Sequence, residues 1–528
     1  MHAKMDPKWE LPSLRGTMRL GAHTRSSLSS TQLYDVDFYP YTPPGVDPVF
    51  AVCGGPFTII CRCVLGKNDT IEILRWFEDE ETSTEHASPG DRLNYNSVVW
   101  SQAESGDPLV CVTGDSRIKV LNVKTGELVS TLIGHGDSVN DLAVSPIDPT
   151  ILASVSIDCS LRIWSLHPSH QKQPLGAICY GQGHKEQVLT LASHSLIVPS
   201  NFVDISRHII PKAATSLPRW AVPDDLKEYA GTDQPLKVHY PHFSTTEIHT
   251  DFIDCVQWYN DLILSHACRE DKIILWSIDK FSSDRLTTPR PPIPTSSAVH
   301  SRSPVTIQAN TTSDTRSAWG GRFQRLLQFE LPHTNQFYIR FSIFHQLGRH
   351  PILSAANEKS KTFFWDLQRL ENSGMGEDDS QSTKGLPLGL PRHVREGSTA
   401  STASSAVSNS SGTTKSKQKM VKEQHIDRGI SDPFRSIKAH KIIEIPKYKA
   451  FAFRHSAWSR DGQWFVGVGD CGTIAIFNRW EKGVPPISPD KDVSTEEVSP
   501  DMFSHTLSES SDPDFAPNPY SPMASDST

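Results

Sequence analysis

The residues in this chain whose types could do chemistry together are a histidine and an aspartate, His135 and Asp158, with Trp164 six positions beyond the aspartate. A His–Asp pair can act as a general base when a nucleophile or a bound water lies within hydrogen-bond reach. Nothing around this pair supplies one. The sequence contains no GxSxG, HExxH, P-loop or Rossmann pattern in a strand-to-helix setting, and its glycine-rich stretches lie among serines and threonines. The nine cysteines are scattered. Their one close pair, Cys61 and Cys63, falls on one face of an alternating strand, and no CxxC occurs. Neither a zinc site nor a disulfide framework follows from that spacing; the thiols read as free, in a reducing compartment. No enzyme, metal or cofactor is expected, so the chemistry to look for is recognition.

The elements that position these residues repeat. In residues 133–166, IGHGDSVNDLAVSPIDPTILASVSIDCSLRIWSL, a Gly-His opening leads to the alternating run VNDLAV. A Pro-Asp turn, the run ILASVS, Asp158 and the run LRIW follow. Period-two alternation with turns every 8–12 residues predicts a small antiparallel sheet. Looser copies occupy 33–77 (PVFAVCG, FTIICRCV, TIEILRWF), 93–132, 251–278, 337–367 and 455–480. A second Gly-His at 183–184 opens another, for seven in all. That copy, about 183–222, is aberrant: after GHKEQVLTLA, residues 193–219 lack the turn and the paired strands. It reads as a degenerate unit or as a local reading-frame or splice error.

The Gly-His opening and the tryptophan about 30 residues later resemble the WD40 repeat, whose period is about 40–45 residues. The resemblance implies an all-β, seven-bladed WD40 β-propeller in which His135, Asp158 and Trp164 form a buried structural network rather than a catalytic one. The propeller is expected over 33–480, after an N-terminal extension (1–32). Low-complexity insertions at 281–320 and 374–431 and an acidic Ser/Pro-rich tail (481–528) bury too little apolar surface to order themselves. The tail carries ten acidic and two basic residues, which accounts for the net charge of −8 of the 528-residue chain. The balanced remainder excludes a globally basic nucleic-acid binder. No run of about 18 apolar residues and no signal peptide is present, which predicts a soluble intracellular protein without a membrane partner. The lysines at 415, 417, 419 and 422 read as part of a nuclear import signal or, better, as a solvated linker run.

A more particular resemblance lies in residues 239–276, HYPHFSTTEIHTDFIDCVQWYNDLILSHACREDKIILW. This stretch is similar to the EED/extra-sex-combs family, the WD40 subunit of Polycomb repressive complex 2. GHGDSVNDL with DPTILASVS, GHKEQVL, FYIRFSIF with FFWDLQ, and SAWSRDGQWFVGVGDCGTIAIFNRW are similar again. The resemblance implies a non-catalytic nuclear scaffold that holds a SET-domain histone H3 lysine methyltransferase and other subunits of that complex. It also implies an aromatic cage that reads trimethyl-lysine on the histone H3 tail and stimulates the enzyme. Carried over position by position, the cage is Phe50 in DPVFAVCG, Tyr95 in LNYNSVVW and the pair Phe337–Tyr338 in QFYIRFS, where Phe replaces the family's Trp. A gapless match puts Asn96, not Tyr95, at the second position. Arg340 and Arg454 match family arginines that either contact the peptide or are structural. Neighbours on a strand point to opposite faces, so Phe337 and Tyr338 can share a cage only at an irregular strand end. The competing reading is a generic WD40 interaction scaffold without methyl-lysine recognition, in which the four aromatics do not converge.

Overall fold

The alternating runs form strands that stack into radial sheets. The computed structural model describes residues 10–20, 31–64, 71–79, 94–180, 187–193, 234–283, 315–372, 432–445 and 451–480, with short pieces at 202–205, 214–216, 289 and 291–292. In the first five complete sheets the first strand in sequence is innermost, and the next three step outward antiparallel. The first blade is Asp35–Phe38, Val49–Gly54, Phe57–Cys63 and Ile71–Glu78; the second is Ser97–Gln102, Pro108–Thr113, Arg117–Asn122 and Leu128–Ile133. The third is Val139–Val144, Ile151–Ser156, Leu161–Ser165 and Leu175–Cys179. After the aberrant unit come two more blades. One is Ile253–Tyr259, Leu262–Ala267, Lys272–Ile278 and Phe323–Glu330, and the other is Ser342–Phe344, Ile352–Ala356, Lys361–Asp366 and Lys441–Glu444. The last blade is Phe453–Trp458, Trp464–Gly469 and Thr473–Asn478, completed on its outer side by Ser13–Arg19 from the start of the chain.

That outer strand lies before residue 33, so the propeller begins earlier than its expected boundary. Ser13 pairs with Asn478 and Arg19 with Thr473, a clasp that joins the two ends of the ring and covers an open sheet edge. Two other outer edges carry short parallel strands, Leu236–Val238 on the third blade and Ser436–Ile437 on Phe323–Glu330. The ends of the expected insertion at 281–320 are also part of the fold. Phe281 and Trp319 pack edge to face with centroids 5.1 Å apart, and Arg316–Ser317 pairs with Phe243–Ser244. Aromatic anchors outweigh the polar composition there. The whole of the insertion at 374–431 and of the tail lies outside the described residues.

The described residues thus form an all-β propeller with six complete blades, where seven were expected. Between the third blade and Ile253–Tyr259 lies the short strand Leu191–Ser193, first of a three-stranded sheet with Phe202–Ile205 and Ala214–Ser216. The rest of the aberrant stretch is outside the described residues.

The core lies between blades. Trp164, Trp276 and Trp365, each on the third strand of its blade, are fully buried. In the third blade Ser154 completes the polar network expected of His135, Asp158 and Trp164. Its Oγ lies 2.7 Å from His135 Nε2 and accepts from Trp164 Nε1 at 2.8 Å, while His135 Nδ1 lies 2.9 Å from Asp158 Oδ2. The His135 side chain has no exposure to solvent. Burial holds its imidazole below its ordinary pKa despite Asp158. Burial opposes the Asp158 charge, but hydrogen bonds from His135 and Ser160 outweigh it and keep the carboxyl below the usual carboxylate range. His249, Ser265, Trp276 and Glu270 repeat the arrangement in the next complete blade, with glutamate in place of aspartate.

Candidate aromatic site at the channel mouth

The site is assembled at the start of the inner strands, where the chain enters each blade. Phe337 and Tyr338 precede Ser342–Phe344 in a bend rather than in a strand. Tyr338 has φ of 61°, in the left-handed region. That conformation is rare for a bulky residue and costs about 1–3 kcal/mol, so the surrounding contacts must impose it. It breaks the strand alternation that would separate the two rings. The Phe337 ring meets Phe252 edge-on at 5.8 Å, and the Tyr338 ring meets Tyr34 edge-on at 6.2 Å. The Tyr338 hydroxyl donates to Asn140 Oδ1 at 3.2 Å, reaching from one side of the ring to the third blade. Burial raises the Tyr338 pKa above its ordinary value.

Two arginines brace these rings. Arg340 follows Tyr338 by two residues and is buried. Its guanidinium lies 5.6 Å from the Tyr338 ring centroid, and its Nη1 contacts Asp141 Oδ1 at 2.9 Å. Its Nη2 lies 3.4 Å from the Asn140 carbonyl and 3.5 Å from that of Leu189. Burial disfavours the Arg340 charge, but Asp141 and Asp35 outweigh it and raise its pKa above the ordinary value. Arg454 contacts Asp470 Oδ1 at 2.9 Å and donates to the Phe337 carbonyl at 3.0 Å; its guanidinium stands 5.8 Å over the Tyr34 ring. Each arginine is therefore matched by its own carboxylate. Beneath Arg340 runs an axial cavity of about 680 Å³ lined by Asp35, Asp37, Asp141, Gln257 and His455 among others.

Of the expected site residues, Phe337, Tyr338, Arg340 and Arg454 come together. Phe50 and Tyr95 do not, and here the sequence expectation is corrected. Phe50 lies on Val49–Gly54, a second strand whose every residue is buried, and packs 5.3 Å from Phe38 in the core shared by the first and last blades. Tyr95 is buried between the first two blades, and its hydroxyl donates to Asp79 Oδ2 at 2.7 Å. Lys119 Nζ reaches the same oxygen at 2.5 Å. Asn96 stands at the entrance of its blade instead: its Nδ2 donates to the Val139 carbonyl at 3.1 Å, and its buried Oδ1 has no partner among the described residues. Tyr34, Phe252 and Asn140 were not anticipated. A signal existed: Tyr34 and Asn96 each immediately precede an inner strand. Among the described residues no group of three metal-ligating side chains occurs.

The comparisons with known proteins agree with this architecture. Residues 126–165 match the family model for the WD domain, G-beta repeat. Polycomb protein EED of Chaetomium thermophilum is 33% identical over 91% of this chain and 98% of that protein. Among solved structures, a chain of the Chaetomium thermophilum polycomb repressive complex 2 matches 90% of this chain and 99% of its own length, with a TM-score of 0.67 and 30% identity. A chain of ctPRC2 in complex with H3K27me3 and H3K27M gives the same coverage, a TM-score of 0.66 and 30% identity. With that identity over nearly the whole of both proteins, the chain belongs to the EED family of Polycomb proteins.

Proposed function

We propose that this chain is the non-catalytic propeller subunit of a nuclear Polycomb histone H3 lysine methyltransferase complex, and that its channel mouth reads trimethyl-lysine on the histone H3 tail. Its partners are then a SET-domain catalytic subunit, the other subunits of the complex and the modified tail. Membership of the EED family and the similarity to a subunit of a complex containing H3K27me3 support this reading. One observation carries the site assignment: the left-handed turn at Tyr338 holds two consecutive aromatic side chains at one strand entrance.

The chemistry suits aromatic walls. A trimethylammonium group keeps its charge, cannot donate a hydrogen bond and is weakly hydrated. A ring face offers it about 0.5–2 kcal/mol per contact, more as water is excluded. Arg340 and Arg454 do not repel such a cation strongly, because Asp141 and Asp470 neutralise them locally. Reading the product mark would stimulate the catalytic subunit and let the mark spread.

The same proposal includes a seventh blade at the aberrant unit. Hydrogen bonds between neighbouring inner strands support it. Asp35 accepts from Val98 N at 2.9 Å, and Asp141 accepts in the same way from Leu191 N at 3.0 Å. Asn96 donates to the Val139 carbonyl, and Asn140 donates to the Val188 carbonyl at 2.8 Å. The link that joins successive complete blades thus recurs at Leu191–Ser193.

The alternative, a WD40 interaction scaffold without methyl-lysine recognition, is favoured by the burial of Phe50 and Tyr95. A titration of the purified protein with histone H3 peptides, unmodified or trimethylated at the target lysine, decides between them. Tighter binding of the trimethylated peptide, lost in Tyr338→Ala, supports the reader; equal or absent binding by a folded protein leaves the scaffold.

A further inference from the structure

We propose that the axial cavity beneath Arg340 is a binding site for a primary alkylammonium ion, which enters from the face opposite the aromatic mouth and pairs with Asp37. The proposal does not depend on the reader function. The inner strand Asp35–Phe38 places the carboxylate. Successive side chains on a strand alternate, so Val36 and Phe38 pack into the core shared by the first and last blades while Asp35 and Asp37 line the channel. Arg340 roofs the cavity: its side chain is buried and reaches across to Asp141 at 2.9 Å. The other end is open. Pro40, Pro146, His345 and Arg460 line the cavity, each follows the end of an inner strand, and all four are exposed. The space of about 680 Å³ therefore meets solvent on the side away from Tyr338.

The polar groups of the cavity are matched except at one residue. Asp141 is paired with Arg340, and Asp35 is held by His455. Arg460 turns to the rim, where its Nη1 donates to the Pro40 carbonyl at 3.3 Å. Gln257 is committed to the neighbouring blade, donating to the Phe341 carbonyl at 3.2 Å and accepting from the Ile343 amide at 3.0 Å. Asp37 accepts from the Trp100 amide at 3.3 Å, and no basic side chain among the described residues pairs with it. Burial and Asp35 push its carboxyl up to about 7, the response of a carboxylate enclosed without a countercharge. Val99, Ala143 and Ile343 line the same cavity, and Tyr41 and Trp258 stand toward its opening. One carboxylate among apolar walls suits an ammonium head on an unbranched stem. The head is a compact charge with three donors, and the stem takes apolar surface out of water. A guanidinium is wider, and a trimethylammonium has no donor for Asp37. Asp37 lies three residues before the exposed Pro40, roughly 10 Å along the strand, a depth that a narrow stem can span.

The test is a ligand-observed NMR titration of the full-length protein at pH 8 and constant ionic strength, with n-butylammonium as the probe. 1-Butanol serves as the neutral analogue of the same length, and tetramethylammonium as a cation without a donor. Wild type should bind n-butylammonium saturably, with a Kd on the order of 1 mM, as befits so small a ligand, and both controls at least about tenfold more weakly. Asp37→Asn keeps the shape of the side chain and removes its charge; it should weaken n-butylammonium binding at least about tenfold and leave 1-butanol unaffected. The unfolding midpoint of the variant, measured alongside, separates loss of the site from loss of the fold. Two further arms identify the source of the ammonium group: tighter binding of spermidine than of N-acetyl-lysine methylamide supports a free polyamine, and the reverse supports a lysine side chain. No saturable binding to wild type, equal affinity for n-butylammonium and 1-butanol, or undiminished binding to folded Asp37→Asn overturns the proposal.

Discussion

Replacing Arg340 by methionine should destabilise the ring by about 2–4 kcal/mol, because Arg340 is a strut across the channel. It leaves the chain just before Ser342–Phe344 and meets Asp141 on the third blade at 2.9 Å. At an effective dielectric of about 20 the gross attraction over that distance is about 6 kcal/mol. Most of it is offset by the cost of taking both charges out of water, so the pair compared with an apolar substitute is worth little. Removing one partner is different, since Asp141 then stays buried without its countercharge, a loss of about 3–5 kcal/mol in buried pairs. The lower end applies here because Asp141 also interacts with Ser97 Oγ and the amides of Leu142 and Leu191. Methionine approximates the aliphatic part of the side chain against Tyr338. The assay is urea unfolding of wild type, Arg340→Met, Asp141→Asn and the double variant, followed by tryptophan fluorescence and far-ultraviolet dichroism to check that one transition is seen. The two substitutions should be non-additive by about 1.5–3 kcal/mol, the double variant losing less than the sum. Additive losses, or an Arg340→Met loss below about 0.5 kcal/mol, would refute the strut.

Other outcomes follow from the same contacts. Ser154→Ala should cost about 2–4 kcal/mol, since it strands His135 Nε2 and Trp164 Nε1 in the core together; denaturant midpoints measure this, with Ser265→Ala as the counterpart on His249 and Trp276. Asp37, on the channel wall, has its carboxyl pushed up to about 7 by burial and by Asp35. Between about pH 4 and 7 it is neutral in the fold and ionised in the unfolded chain, so stability present below pH 4 is lost as pH rises through 7. Asp37→Asn should therefore stabilise the protein at pH 8, by about 1–3 kcal/mol, and have almost no effect near pH 4; equal effects at both pH values would contradict the assignment. Phe337→Trp should tighten trimethyl-lysine binding about 3- to 10-fold in a peptide titration, because the indole has the stronger π-face attraction; an unchanged affinity would place Phe337 outside the site.

How much of this was legible in the sequence depended on whether a residue's partner was local. The His135, Asp158 and Trp164 network was readable because its members fall within one repeat, and Ser154 escaped notice only because serines are common in strands. Adjacency made Phe337–Tyr338 stand out, and the irregular strand end that adjacency demands is the left-handed turn at Tyr338. Phe50 and Tyr95 misled because a propeller strand is packed against neighbouring blades as well as within its own sheet. An aromatic residue on it carries no mark of whether its ring points to the core or to the mouth. Ser13–Arg19 was missed for a related reason: its burial pattern is mixed, and its partner Thr473–Asn478 lies at the other end of the chain. Tyr34 carried only a positional signal, its place just before an inner strand, because its neighbours Tyr338 and Arg454 are distant in sequence.

The central claim is that this propeller reads the product of the methyltransferase it accompanies through the aromatic group at its channel mouth. The measurement that tests it most directly is methyltransferase activity of the reconstituted complex, with and without added trimethylated histone H3 peptide, containing either wild-type subunit or Tyr338→Ala. The predicted result is stimulation by the trimethylated peptide with wild type, none with Tyr338→Ala, and equal basal activity in both complexes. Undiminished stimulation with Tyr338→Ala, from an intact complex, would contradict the account.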